Sequence, residues 1–220
     1  MRSRSQMNWN SSPVHTVFIS GGHHVGMNPR YLSAVLLAAG LALTAAAAER
    51  PLLVDPAQSH IEVAVKATVD SFVGRLAAYE PEIAVADDGT IARARLAFRF
   101  RDVQTGKEGR DKAMHKWQQS ETFPDGTFVL SSLTPAEGAT ATARGRLSLH
   151  GITRDIEFPV SVNRDGPRYA IDGDASVDTR DFGLPGIRMF ALLKVDPVVH
   201  VRFHLQGTTQ PHLTSLQARR

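Results

Sequence analysis

Arg93-Ala94-Arg95-Leu96-Ala97-Phe98-Arg99-Phe100-Arg101 is the stretch that decides the fold. Ala94, Leu96, Phe98 and Phe100 alternate with Arg93, Arg95, Arg99 and Arg101, so an extended chain turns apolar groups to one face and guanidinium groups to the other. The same period of two recurs on both sides of it. Upstream, Ile61, Val63, Val65 and Ala67 alternate with His60, Glu62, Lys66 and Thr68. Downstream, Leu147 and Leu149 oppose Arg146 and Ser148, and Phe158, Val160 and Val162 oppose Glu157 and Ser161. Tyr169, Ile171, Ala175 and Val177 oppose Asp172, Asp174 and Ser176, and Val199, Val201, Phe203 and Leu205 oppose His200, Arg202, His204 and Gln206. Shorter candidates lie at 73–85 and at 127–133, where Phe128 and Leu130 share a face.

Turn-forming residues separate these runs: Asp87-Asp88-Gly89, Pro135 to Gly138, His150-Gly151 and Asn163 to Pro167. Strands with one apolar and one charged face, joined at hairpin length, predict an all-β antiparallel sheet. No run of helices is available to cover its apolar face. Closure into a barrel of about eight strands buries that face and removes the edges. Two stretches break the alternation. Lys107 to Gln119 holds helix formers with Ala113, Met114 and Trp117 at helical spacing, which predicts a short helix at one barrel end. Asp181 to Leu193 gathers Phe182, Leu184, Ile187, Met189 and Phe190 around Pro185-Gly186, which predicts a loop or one-turn helix as plug or lid. Met114, Trp117, Phe182, Leu184, Met189 and Phe190 are therefore the expected mouth of the barrel.

The first 48 residues read as an address. From Met27 a short positive start leads into an apolar run, Tyr31 to Leu43, and then Ala45 to Ala48 before Glu49. Small residues at Ala46 and Ala48 complete a secretory signal at 27–48, with cleavage expected after Ala48. A membrane anchor is the competing reading; the run sits at the lower edge of spanning length and ends in the cleavage pattern, which favours export. Residues 1–26, polar and carrying His23-His24, read as an upstream extension, leaving 49–220 as a single domain. Arg2, Arg4 and Arg30 fall before residue 49, so the domain carries 22 basic and 22 acidic residues and has no excess charge for nucleic acid. There is no cysteine, hence no disulfide, thiolate metal site or thiol nucleophile.

Catalytic constellations are not found. His200 and His204 stand four apart on a strand, about 13 Å between Cα atoms, too far for one metal by local spacing. They read as solvated. His150-Gly151 reads as a hairpin turn rather than a catalytic base, and Asp178-Thr179-Arg180-Asp181 as a salt-bridged turn rather than an acid site. Asp172 and Asp174 share a face that a calcium ion could use, but read as solvated. No catalytic residue, no metal site and no obligatory cofactor is expected. The arginine row reads as a charged edge-strand face, with an interaction module at the membrane surface as the alternative. The inward set includes Val63, Val65, Leu96, Phe98, Phe100, Phe128, Leu130, Leu147, Leu149, Phe158, Val160, Ile171, Val201 and Phe203, with no charge among them. An eight-stranded barrel with that lining is either filled by side chains or holds one small ligand. Composition leaves both open.

A wider pattern narrows the choice. Val54-Asp55-Pro56-Ala57-Gln58-Ser59-His60 opens the first strand, and Phe72-Val73-Gly74-Arg75-Leu76 follows. A central Arg110-Asp111 comes next, and Phe123-Pro124-Asp125-Gly126-Thr127-Phe128 leads into a strand. Leu147 to Arg154 and Val177 to Leu184 complete the series. In order and spacing this resembles the YceI-like lipid-binding proteins across residues 54–207. The resemblance implies an elongated, lipocalin-like antiparallel barrel in the periplasm, without catalysis. It also implies an interior holding an isoprenoid or other long-chain amphiphile, a quinone included. The inward set would then line the ligand. Partners would be that lipid-like molecule and, transiently, a membrane, in a monomer or homodimer. The stretch Met114 to Phe123 departs from the family pattern, where a longer acidic and aromatic segment is usual.

Overall fold

A computed structural model describes residues 49–210 apart from 69, 137 and 190–192. The expected signal at 27–48 and the extension at 1–26 lie outside the described residues, as does Phe190. The strands are β1 (Arg50–Val54), β2 (His60–Val65), β3 (Phe72–Leu76), β4 (Tyr79–Val85), β5 (Ile91–Arg99) and β6 (Val103–Gln104). Helix α1 (Glu108–Gln118) follows, then β7 (Asp125–Pro135), β8 (Thr140–Leu149), β9 (Ile152–Asp165) and β10 (Arg168–Asp178). A small hairpin of β11 (Arg188–Met189) and β12 (Leu193–Lys194) precedes β13 (Val198–Thr209).

Hydrogen-bonded neighbours run β1-β4-β5-β7-β8-β9-β10-β13, and β13 returns to β1, so eight strands close an antiparallel barrel. Three of these staves are bent. β2 continues β1 after the 3-10 turn Pro56–Gln58, and both pair with β13. β3 and β4 are the two halves of the 73–85 run, parted at Ala77-Ala78, and β5 passes into β6 through the 3-10 turn Phe100–Asp102. The strand therefore ends at Arg99, two residues earlier than the alternation in the sequence suggests, and Phe100 begins the turn. The alternation itself holds: Leu96 and Phe98 turn inward while Arg93, Arg95 and Arg99 turn outward. β5 lies between β4 and β7, so the expectation of an edge strand was wrong. Its arginines meet carboxylates on neighbouring segments, Arg93 with Glu49 at 2.6 Å and Arg95 with Glu82 at 2.9 Å. Closure explains the difference, because a closed barrel has no edge to protect and cross-strand charge pairs can form instead.

The β8–β9 hairpin shows how local chemistry sets register. His150 and Gly151 both have positive φ, 49° and 74°, which is the backbone of a two-residue I′ turn. The His150 ring leans on Phe123, with centroids 4.1 Å apart, and Nδ1 lies 3.1 Å from the Phe182 carbonyl.

The two ends of the barrel differ. At the end carrying the β4–β5 and β9–β10 turns, Val85, Tyr169, Leu52 and Ile171 are buried in one cluster. The Tyr169 hydroxyl donates to the Gly89 carbonyl at 3.2 Å, and Arg164 donates to the carbonyls of Asp88 and Gly166. That end is filled. At the other end lie α1, the β8–β9 turn and residues 179–189 and 193–197. β6 does not pair with β7 there, and α1 occupies that part of the chain between them.

Candidate ligand-binding cavity

The alternating inward residues reach different degrees of burial although all point to the same interior. Phe158 and Val160 are buried, whereas Leu96, Phe98, Phe128, Leu130, Val201 and Phe203 are only partly so. Inward residues of a solid barrel would be uniformly dry. The partly exposed ones border a cavity of about 770 Å³ within the barrel. At about 30 Å³ per water-sized group, this admits on the order of 25 non-hydrogen atoms.

All fourteen inward residues expected from the sequence line this cavity. Of the expected mouth residues, Met114, Trp117 and Leu184 line it too. Phe182 does not. It is 1% exposed and packs with Leu147 and Val177 in a separate end cluster, because the 3-10 turn Thr179–Phe182 rolls it beneath the barrel rim. The backbone of Met189 is in β11, but its side chain, like Phe190, lies outside the described residues.

The mouth has polar groups that strand periodicity did not reveal. Arg110 lies with its guanidinium 4.2 Å from the Phe72 ring centroid and donates to Asp70 at 2.9 Å, with Lys107 3.5 Å from the same carboxylate. Arg110, Asp70, Thr179 and Asp196 all border the cavity. The inward set is uncharged as expected; the charged residues that border the cavity are Arg110, Asp70 and Asp196 where α1 and the flanking loops meet it, and Arg95 of β5, whose guanidinium pairs with Glu82. The Arg110-Asp111 pair in the sequence was the available signal. Asp111 accepts from both the Thr105 amide and hydroxyl, at 3.0 and 2.6 Å, and so fixes the approach to α1. Trp117 Nε1 donates to the Pro185 carbonyl at 2.8 Å, tying α1 to the segment beyond the 3-10 turn.

Residues 53–207 match the YceI-like domain. The chain belongs to that family. Two UPF0312 proteins of Pseudomonas putida are each 29% identical to it over 70 residues, covering 29% of this chain and 36% of theirs. The match thus spans about a third of those relatives. BcnA of Burkholderia cenocepacia superposes with a TM-score of 0.63 at 22% identity, over 70% of this chain and 99% of that one. A polyisoprenoid-binding domain from Saccharophagus degradans gives 0.58 at 18% identity, over 74% and 99%. The Campylobacter jejuni YCEI protein gives 0.56 at 12%, over 66% and 88%. At these identities the likeness is one of fold.

The outer face of this YceI-like barrel corrects two further expectations. His200 and His204 are not simply solvated: His204 Nδ1 is 2.6 Å from Asp172, and His200 Nδ1 is 3.2 Å from Asp174, which also receives Arg202. Asp172 and Asp174 are therefore engaged by cross-strand partners, since β10 and β13 bring these residues into register. Among the described residues, no group of three acidic or histidine side chains is placed to hold a metal ion. The Asp178 turn forms as read. Its carboxylate accepts from the Arg180 amide and guanidinium, and the Arg180 hydrogen bond holds it below the usual carboxylate range.

Proposed function

We propose that this protein binds an isoprenoid or other long-chain amphiphile inside the barrel and serves as a periplasmic carrier rather than as an enzyme. The observation that carries the reading is the apolar cavity of about 770 Å³ bordered by partly exposed inward residues. A chain in that space gains about 0.8 kcal/mol for each methylene it buries, and selection is by length and girth rather than by directional contacts. Family membership and the polyisoprenoid-binding structural neighbour support the same class of ligand. The polar groups stand at the α1 end and the opposite end is filled. The chain's tail thus points toward Ile171 and its head group rests beside Arg110 and Asp70. The secretory signal read from the sequence at 27–48 supports an activity outside the cytoplasm, with a quinone among the ligands to test.

The test is direct. The protein is purified in mild detergent-free buffer, extracted with organic solvent, and the extract examined by mass spectrometry. Near-stoichiometric recovery of one long-chain species supports the carrier. An empty extract, together with no uptake of added prenols, sinks it and leaves a barrel acting through its surface.

A further inference from the structure

Three of the phenylalanines in the barrel do not stand into its lumen. They lie down on glycines. Gly126 is the cross-strand partner of Phe98, and a Cβ built on it would sit 2.3 Å from Phe98 Cζ. Gly173 is the partner of Phe203, and its Cβ would sit 2.3 Å from Phe203 Cζ. A Cβ on Gly145 would meet Phe128 at 2.5 Å, and also the Val129 carbonyl at 2.5 Å. In each case the ring tip occupies the volume that any other residue's Cβ would fill. Strand alternation makes the reason visible: these glycines hold inward positions, where the neighbouring residues of their own strands are apolar. A glycine there weakens the strand unless something covers it, and a ring from the next strand does so.

We infer that Gly126 and Gly173 are specificity-determining residues, which set the calibre of the lumen by letting Phe98 and Phe203 fold flat against the wall. The inference rests on the carrier reading and adds what decides the admissible chain. Carbon atoms settle at about 3.5–4.0 Å, so an alanine at either position drives the ring tip back by at least about 1 Å. The strand wall lies behind the ring and the cavity lies in front, so the ring swings into the lumen. The two pairs act at different depths. Phe98 and Gly126 lie near the α1 end, where β5 gives way to the Phe100–Asp102 turn. Phe203 and Gly173 lie mid-barrel, where Phe203 meets Phe158 edge-on at 6.0 Å and Phe158 in turn meets Phe128 at 5.5 Å. Gly173→Ala thus shortens the longest chain that fits, whereas Gly126→Ala narrows the approach. Gly145 is a poorer probe, because its added methyl would also strike backbone.

The experiment titrates delipidated wild type, Gly126→Ala and Gly173→Ala with a series of all-trans prenols of increasing length. The expected result for Gly173→Ala is a length cut-off at least one isoprene unit shorter. It should also bind the longest wild-type chain about tenfold more weakly, the equivalent of one or two methylenes left unburied. Shorter prenols should bind as in wild type, and Phe203→Leu in the Gly173→Ala background should restore the original cut-off. If Gly173→Ala does not fold, Phe203→Leu alone decides, with a longer cut-off expected. A wild-type cut-off in both alanine variants, or in Phe203→Leu when it has to decide, overturns the inference. So does an equal loss at every length. Wild type that binds no prenol overturns the carrier reading and this inference with it, so the two failures are told apart by the wild-type titration.

Discussion

Phe98 and Val160 both alternate into the barrel, yet a charge placed at the two sites meets different surroundings. Val160 is 6% exposed and belongs to the buried cluster, whereas Phe98 is partly exposed to the lumen. Val160 borders the cavity with only a small part of its surface, so a carboxylate there is hydrated less than one at Phe98, and Val160→Asp is expected to lower stability by about 3–5 kcal/mol. At Phe98 the empty cavity supplies water. Phe98→Asp should therefore fold with a smaller loss, while its recovered lipid falls to nothing because an apolar chain cannot solvate the charge. Urea midpoints paired with extracted lipid per mole check both. Equal stability losses at the two positions would mean the lumen is as dry as the core.

At the scale of elements, α1 is tied at the mouth to the chain beyond the 3-10 turn through a single described side-chain bond, Trp117 Nε1 to the Pro185 carbonyl. Trp117→Ala removes that tie and a cavity wall together, and is expected to speed lipid release several-fold while changing the urea midpoint little. Stopped-flow transfer of a fluorescent prenol to vesicles measures it. Trp117 is the sole tryptophan after residue 48, so wild-type emission should also shift when prenol is added. The 3-10 turn Thr179–Phe182 depends on the carboxylate of Asp178, whose folded-state pKa is lowered by the Arg180 hydrogen bond. A depressed carboxylate contributes stability that is complete above the unfolded pKa and is lost as pH falls through the folded value. The turn should thus stay formed at neutral pH and loosen only below the ordinary carboxylate range. A carboxyl-detected NMR titration should place Asp178 below the ordinary value of an aspartate side chain, and Arg180→Gln should raise it.

For the molecule as a whole, one filled end and one hollow end predict two classes of alanine variant. Leu52→Ala and Val85→Ala open voids among buried neighbours away from the cavity and should cost about 2–5 kcal/mol. Leu130→Ala and Val201→Ala merely widen a space already present. They should cost about 1 kcal/mol or less in the empty protein and show their effect as weaker lipid binding. Saturating wild type with prenol at a hundred times its Kd should add about 2.7 kcal/mol of stability. Chemical denaturation with and without prenol tests all of this in one series. Uniform losses across the four variants would contradict a hollow end.

Which side chains face inward was legible in the sequence, because alternation is a local property that each strand carries in its own residues. The fourteen expected lining residues, the helix at 108–118 and the His150-Gly151 turn were readable for that reason. Whether the interior is filled was not readable, since the same leucines and phenylalanines suit a core or a cavity. That depended on how rings from one strand rest on glycines of the next, Phe98 on Gly126 and Phe203 on Gly173. Those pairs are about thirty residues apart in the chain and meet only through register. Phe182, expected at the mouth, lies elsewhere for a related reason: its hydrophobicity outside the alternation does not say which surface it meets, and the 3-10 turn packs it with Leu147 and Val177 instead. Asp70 and Arg110, forty positions apart, likewise become mouth partners only once the barrel closes and α1 settles over its open end. Sequence alone determined the faces, because side-chain direction follows from the strand. Tertiary structure determined the space between them, because volume belongs to no single strand.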